Sequence, residues 1–216
     1  MPMVLAISWQ PGFCETRPKK PECKSQTGER FDARHFSLHG LWPQPGNRLY
    51  CNVSDAEREM DRRGAWFELA PLALSAALRT RLEEVMPGSQ SALDRHEWVK
   101  HGTCYSTHAE TYYRDSIALL DAINGSAVQK LFAARVGQIL QTNEIRTAFD
   151  QAFGAGTGER VRVACKRDGN RLLITELTIG LHGTITIPVD ISSLARDSRT
   201  IDPGCPGGVV DEVGLQ

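Results

Sequence analysis

Six cysteines spread along the chain are the feature that most restricts how it can fold. They stand at Cys14, Cys23, Cys51, Cys104, Cys165 and Cys205 of the 216 residues. This count is high for a cytosolic enzyme of this size. None of the six forms a Cys-x-x-Cys pair, which argues against a zinc ribbon or a thiol redox motif. The sequence therefore favours a disulfide-bonded protein but leaves the pairing of the cysteines open.

The segment from His96 to Cys104 concentrates titratable side chains. At about 100° per residue, a helix would present four of them on one face, namely His96, Glu97, Lys100 and His101. Trp98 and Val99 would point the other way, as a buried face should. Imidazoles, a carboxylate and an ammonium on one face can move protons and stabilise an anionic transition state without a metal.

Three other interpretations of this segment compete with a metal-free acid–base site. A zinc-protease helix carries its second His four residues after the first, but Lys100 occupies that position and repels a dication, so we expect no metal. A solvated helix end with incidental histidines is disfavoured, because four catalytic side-chain types share one face. Finally, Asp94-x-x-Glu97 matches a capping box, which would give Glu97 a structural role.

A second segment, Phe36–Pro43, has the pattern of a strand that runs into a turn. Gly40 would allow a sharp change of direction, and Trp42 would follow in extended geometry. His39 would then face a cleft at the end of the strand, although a core histidine bonded to backbone is the alternative. We assign no role to His35.

The two segments together resemble the active-site segments of the ribonuclease T2 family. The matching stretches are His39–Pro43 and His96–Cys104, and Ile7–Cys14 resembles the family's N-terminal strand and first cysteine. The resemblance covers roughly residues 4–206, and the N-terminal stretch is most similar to bacterial members. It implies an α+β fold with a central antiparallel sheet and helices, formed by residues 1–216 as one domain.

The resemblance also implies a reaction and a role for each site residue. An RNA phosphodiester would be transferred to its own 2′-hydroxyl, giving a 2′,3′-cyclic phosphate that is a candidate for later hydrolysis. His101 would act as the base and His39 as the acid. Lys100 would neutralise the non-bridging oxygens, His96 would bind phosphate, and Glu97 would polarise the phosphate centre or tune its histidine neighbours.

A disulfide pattern and a compartment follow from the same resemblance. The implied bridges are Cys14–Cys23, Cys51–Cys104 and Cys165–Cys205. Disulfides of this kind predict an oxidising compartment, either the periplasm or the exterior. The residues from Met1 to Ile7 have no basic start, and their apolar run is shorter than that of a signal peptide. We therefore expect a first strand there, and either a removed leader or a larger secreted parent protein. No stretch has the roughly 18 apolar residues of a membrane helix.

The charge balance limits how nucleic acid could be held. The formal net charge is −1, whereas proteins that grip long nucleic acids by their phosphates usually carry a basic excess. We therefore expect the protein to recognise a few nucleotides of single-stranded RNA in a local cleft. The reaction implied by the resemblance uses the 2′-hydroxyl, so we expect no cleavage of DNA, and we also expect a monomer without a cofactor. Trp42 would offer a base its aromatic face, unless it is a core residue.

A basic stretch near residue 60 has two interpretations. Its arginines, Arg58, Arg62 and Arg63, would extend a positive rim, or they form the solvated face of a helix with the interleaved acids Glu57, Glu59 and Asp61. The second interpretation is favoured, because the signs alternate along the segment.

The remaining pattern predicts helices in the middle of the chain and strands at its ends. A capping box at Ser54-x-x-Glu57 opens one helix, and helices are expected over 71–86, 112–123, 128–140 and 143–154. Strands at 161–163, 172–179 and 184–189 would form an antiparallel meander with a turn at Asp168-Gly169.

Two other function classes remain open on sequence grounds. A catalytically dead relative that serves as a binding module is disfavoured, because His39, Glu97, Lys100 and His101 are all present. A delivered toxin domain would still be a ribonuclease, and the full-length gene would distinguish it from a scavenging enzyme.

Overall fold

The computed structural model describes all 216 residues, which form one mixed sheet surrounded by helices. The strands are β1 Pro2–Ser8, β2 Ser37–Pro43, β3 Ile139–Gln141, β4 Val161–Asp168, β5 Arg171–His182 and β6 Gly207–Val209. The α-helices are α1 Gln10–Thr16, α2 Pro21–Lys24, α3 Asp55–Arg62, α4 Ala76–Val85, α5 Leu93–Glu97, α6 Thr103–Tyr105, α7 Ala109–Asn124, α8 Ala127–Ala134, α9 Thr142–Phe153 and α10 Ile191–Arg196. A π-helical turn covers Trp98–Gly102, and short 3₁₀ turns cover Phe31–Ala33, Trp66–Glu68, Pro87–Ser91 and Gly158–Arg160. The α+β class is as predicted.

The sheet places β1 between the two strands that carry the site. The strand order is β2-β1-β5-β6-β3, with β4 also paired to β5. All pairs are antiparallel except β5 with β6, which run parallel at Leu173 and Val209. β1 is flanked on both sides, and its Leu5 and Ile7 are fully buried, as expected for an apolar strand at a sheet centre.

One contiguous hydrophobic core joins the sheet to the helices. It contains 35 buried residues, drawn from the strands and from α4, α7, α8, α9 and α10. An aromatic cluster of Trp9, Phe36 and Phe132 has ring centroids 4.7–5.6 Å apart. The indole Nε1 of Trp9 donates to the carbonyl oxygen of Asp211 at 2.8 Å, so the two ends of the chain meet in this core.

Several helix boundaries differ from the sequence predictions. The predicted helix over 71–86 begins only at Ala76, because the Ser75 hydroxyl accepts from the Leu78 amide and caps it there. The predicted helix over 128–140 ends at Ala134, and the positive φ of Gly137 precedes β3. The capping box at Ser54 and the helix over 143–154 are confirmed, the latter as α9.

The end of the predicted meander is also different. Residues 184–189 form no strand, and α10 follows them. Besides β1 and β4, β5 pairs with β6, which comes later in the chain and runs parallel to β5. The hairpin of β4 and β5 around Asp168-Gly169 is confirmed.

All three disulfides implied by the family resemblance are present. They join Cys14 to Cys23, Cys51 to Cys104 and Cys165 to Cys205, and no cysteine is free. The second bridge ties the loop that follows β2 to α6. Among the helices, none is both long and apolar enough to cross a bilayer.

Candidate active site

A bulge in β2 sets the position of His39. The pairing of β1 with β2 shifts between Ala6 and Ile7, so that Gly40 faces Ala6, Leu38 faces Ile7 and His39 has no partner in the register. Bulges of this kind re-aim a side chain. The predicted turn at Gly40 is wrong, because the strand continues to Pro43.

Gly40 instead makes room for a carboxylate. A Cβ built on Gly40 would lie 2.0 Å from Oε2 of Glu97 and 2.8 Å from Nε1 of Trp42. Both distances are far inside van der Waals contact, so a side chain at residue 40 would push the carboxylate away. The glycine therefore serves close packing between β2 and the segment that carries Glu97.

That segment is not the continuous α-helix that the sequence predicts. The α5 helix ends at Glu97, a π-helical turn follows over Trp98–Gly102, and α6 completes the segment. The capping-box interpretation of Asp94 is also wrong, because the N-cap is Ala92 with φ 59° and makes no side-chain cap. π-Helical turns inside α-helices occur frequently at functional sites.

Glu97 lies at the centre of the site. It is 1% exposed, and its Oε2 accepts a hydrogen bond from Trp42 Nε1 at 2.8 Å. Its Oε1 lies 3.6 Å from Nε2 of His39 and 3.8 Å from Nε2 of His96. Burial raises the pKa of Glu97 and outweighs the charges of the two histidines, which lower it. One carboxylate thus connects both sequence segments.

His39 is held by a second carboxylate that the sequence analysis missed. Its Nδ1–H donates to Oε2 of Glu176 at 2.5 Å, across β1. Burial alone would lower the pKa of His39, but the bond to Glu176 and the charges of Glu97 and Glu176 together raise it to about 9. The only available signal was a carboxylate inside the apolar strand β5. His39 is therefore an imidazolium at neutral pH.

His96 is held in the same way by Asp61. Its Nδ1–H donates to Oδ1 of Asp61 at 2.6 Å, and its ring stacks on Trp66 with centroids 4.3 Å apart. Asp61 also accepts from the Tyr50 hydroxyl at 2.8 Å. Burial would raise the pKa of Asp61, but the His96 bond and charge outweigh it and lower the pKa.

The prediction that Asp61 belongs to the solvated face of a helix is wrong. Asp61 is 4% exposed and belongs to the site, not to a solvated face. Arg58 and Arg62 lie over the ring of Tyr50 at 5.6 and 5.8 Å, and Arg63 pairs with the exposed Glu68.

His101 has the opposite electrostatic character to His39. Burial first, and then the positive charges of Lys100, His96 and His39, lower its pKa to about 3. Its Nδ1 is buried and has no hydrogen-bond partner. His101 is therefore a neutral imidazole at neutral pH, with a proton acceptor to offer.

Trp42 packs against both of the unlike histidines. Its ring centroid lies 5.3 Å from that of His39 and 5.6 Å from that of His101. The residue is half-buried at the site, so it is neither a core Trp nor fully exposed. The three histidines without an assigned role lie elsewhere: His35 stacks on Phe31, His108 is exposed before α7, and His182 is exposed at the end of β5.

A cleft opens beside His39. It has a volume of about 490 Å³, and its lining includes Gln10 and Phe13 of α1, Trp66, and Glu176 of β5. A cleft of this size accommodates a small ligand such as a nucleoside. His39 lies in its wall, whereas His96 and His101 do not.

Comparison with known proteins identifies the chain as a ribonuclease. It belongs to the ribonuclease T2 family, whose model matches residues 2–192. Ribonuclease I of Escherichia coli (strain K12) is 29% identical over 235 residues, which cover 98% of this chain and 86% of that protein.

Solved structures share the fold. Japanese pear S3-RNase has a TM-score of 0.61 at 16% identity, covering 96% of this chain and 98% of its own. RNase NT in complex with 5′-AMP has a TM-score of 0.56 at 19% identity, covering 99% and 97%. The predicted family and fold are therefore confirmed.

Proposed function

We propose that residues 1–216 act as one catalytic domain that cleaves single-stranded RNA internally by transfer to the 2′-hydroxyl. The observation that carries this proposal is the pair of unlike imidazoles that both pack against Trp42. His39 is charged and His101 is neutral over the same pH range. A transfer of this kind needs one proton acceptor and one proton donor at the same time.

In the proposed reaction, neutral His101 takes the proton of the 2′-hydroxyl while the 2′-oxygen attacks phosphorus. The bond from phosphorus to the 5′-oxygen breaks, and that oxygen takes a proton from His39. Nδ1 of His39 is engaged by Glu176, so Nε2 is the donor. The products are a 2′,3′-cyclic phosphate and a 5′-hydroxyl, and hydrolysis to a 3′-phosphate would use the same two histidines in reversed roles.

The remaining polar groups stabilise the charged phosphorane. Lys100 neutralises the non-bridging oxygens, and His96 binds phosphate through Nε2 because Asp61 occupies its Nδ1. Glu97 polarises the phosphate centre or tunes its histidine neighbours, since its Oε1 lies 3.6 Å from Nε2 of His39 and 3.8 Å from Nε2 of His96. Preorganised charges of this kind are commonly the largest contribution to catalysis.

The position of His39 also orients the substrate. Since His39 protonates the leaving 5′-oxygen, the leaving nucleoside belongs on the side of His39, in the cleft of about 490 Å³. The indole face of Trp42 is available to the base on the other side of the phosphate. The substrate supplies its own nucleophile, so DNA would bind without reacting.

We also propose a monomeric enzyme that works without a cofactor in an oxidising compartment, periplasmic or external. Three disulfides and the absence of a free cysteine support that compartment, because such bridges are rare in reducing cytosol.

Product analysis on a panel of dinucleotides tests the proposal. We expect cyclic phosphate ends from ribonucleotides and no cleavage of the deoxy analogues. His39→Ala and His101→Ala should each lower the rate by about a hundredfold to ten-thousandfold. Their combined effect should be far smaller than the product of the two. Cleavage of DNA, or full activity in either variant, would contradict the mechanism.

A further inference from the structure

Three cations line the rim of the cleft beside His39 without a carboxylate partner. Arg17, Lys20 and Lys166 belong to the cleft lining. Arg17 and Lys166 are exposed and Lys20 is half-buried. None of the three forms an ion pair within 4.0 Å, although 16 such contacts occur in this protein. Arg17 donates one hydrogen bond from Nη1 to the Thr16 carbonyl at 2.9 Å, and its other N–H groups, together with Lys20 and Lys166, are available to an anion from outside.

The two carboxylates of the same cleft are already engaged. Glu176 accepts the hydrogen bond from His39. Glu22 is 2% exposed and accepts a hydrogen bond from the Ser91 hydroxyl. Neither carboxylate forms an ion pair with a rim cation, and Glu176 is paired with His39, so the three cations outnumber the one remaining carboxylate in a chain whose net charge is −1.

The rim is built on a fixed part of the backbone. Arg17 and Lys20 lie within the loop that the Cys14–Cys23 disulfide closes. Inside this loop the Lys20 amide donates to the Arg17 carbonyl at 3.1 Å, and the Cys23 amide donates to the Lys20 carbonyl at 3.0 Å. Lys20 Nζ also lies 5.5 Å from the ring centroid of Trp66, a cation–π contact that restrains its side chain. Preorganised cations lose less entropy when they bind.

We propose that Arg17, Lys20 and Lys166 form a phosphate subsite for the phosphate on the 3′ side of the leaving nucleoside. This inference depends on the proposed function, because that function assigns the leaving nucleoside to this cleft. With the scissile phosphate at His39 and the nucleoside in the cleft, the next phosphate of an RNA chain emerges at the rim. The enzyme therefore favours an internal position in a polynucleotide over a bare dinucleotide.

Three substrates and three proteins test the subsite. The substrates are the best-cleaved dinucleotide, the same dinucleotide with a 3′-phosphate, and the same dinucleotide with a 5′-phosphate as the control. The proteins are the unchanged chain, the triple variant Arg17→Ala, Lys20→Ala and Lys166→Ala, and a control triple variant Lys19→Ala, Lys24→Ala and Lys130→Ala. The control variant removes the same charge from exposed positions outside this cleft.

In the unchanged chain we expect the 3′-phosphate to raise kcat/KM by about tenfold at low salt, and the 5′-phosphate to have little effect. The gain should shrink as the salt concentration rises, because the added contact is between exposed charges that salt screens. In the rim variant kcat/KM for the 3′-phosphorylated substrate should fall to that variant's own value for the bare dinucleotide, and the control variant should keep the preference.

Equal kcat/KM for the bare and 3′-phosphorylated substrates would overturn the subsite. An equal gain from the 5′-phosphate, or a preference that survives in the rim variant, would overturn it as well. If no substrate is cleaved, the proposed function fails, and calorimetric binding of the 2′-deoxy analogues decides the subsite separately. Tighter binding of the 3′-phosphorylated analogue by the unchanged chain but not by the rim variant supports the subsite; equal binding refutes it.

Discussion

Replacing Glu176 by Gln is the sharpest perturbation of the acid–base pair. Gln keeps the size of the side chain and a hydrogen-bond acceptor for Nδ1 of His39, but it removes the negative charge. With Glu176 in place, the pKa of His39 is about 9. Without that charge we expect the pKa to fall toward the ordinary value of about 6.5, since Glu97 still raises it and burial still lowers it.

The consequence for the rate follows from the fraction of His39 that carries a proton. At pH 8 this fraction is about 0.9 for a pKa of about 9 and about 0.03 for a pKa of about 6.5. The variant should therefore lose about thirtyfold in kcat at pH 8. At pH 5.5 both forms are more than about nine-tenths protonated, so the two rates should converge.

Steady-state kinetics on one dinucleotide between pH 5 and pH 9 measures this change. Glu29→Gln serves as the control, because Glu29 is exposed and lies outside the cleft. An unchanged pH profile in Glu176→Gln would refute the argument that Glu176 keeps His39 charged. A uniform loss at every pH would show a structural role instead.

Four further outcomes are expected. Gly40→Ala should lower the free energy of unfolding by about 1–3 kcal/mol through overpacking and should reduce activity. Gly28→Ala is the control, because a Cβ at that residue faces open space, and it should change neither property. Equal thermal melting temperatures for the two variants would contradict the packing argument. Replacing Cys51 and Cys104 together by Ala opens a bridge with a sequence separation of 53 and should lower the free energy of unfolding by about 4 kcal/mol in the loop-entropy model, as denaturant titration would show. The free energy of unfolding should fall as the pH drops from about 6.5 toward 3, because His101 binds a proton in the unfolded chain at a higher pH than in the folded protein. In His101→Phe this dependence of the free energy of unfolding on pH should be weaker. Excess EDTA should leave the rate unchanged, and activity that returns only on adding zinc or magnesium would disprove the histidine mechanism.

Local signals in the sequence predicted the local features of the fold. The capping box at Ser54 and Glu57 and the β4–β5 hairpin both depend on residues close together in the chain, so their pattern was sufficient. The disulfides followed from the family resemblance and not from spacing. The π-helical turn was missed because a regular 3.6-residue period was assumed through Trp98–Gly102.

The site partners were missed because they depend on long-range packing. Glu176 follows His39 by 137 residues and meets it only through the order of the strands. Asp61 was predicted to be solvated because the charges of the neighbouring residues alternate in sign. Its burial depends on packing against His96, which lies 35 residues later in the chain. Gly40 was assigned a turn, whereas its actual function is to leave space for Glu97.

The π-helical turn also has a consequence for insertions and deletions. Such a turn contains one residue more than an α-helical turn would need. Deleting a single residue within Trp98–Gly102 would restore a regular helix and leave the residues after the turn close to their present direction, because the extra residue is accommodated inside the turn. His101 lies inside the turn and would change direction, whereas the cysteine bonded to Cys51 lies after the turn. A one-residue deletion there is therefore expected to be more harmful than most substitutions, and the length of this turn is as strict a requirement as the identity of its histidine.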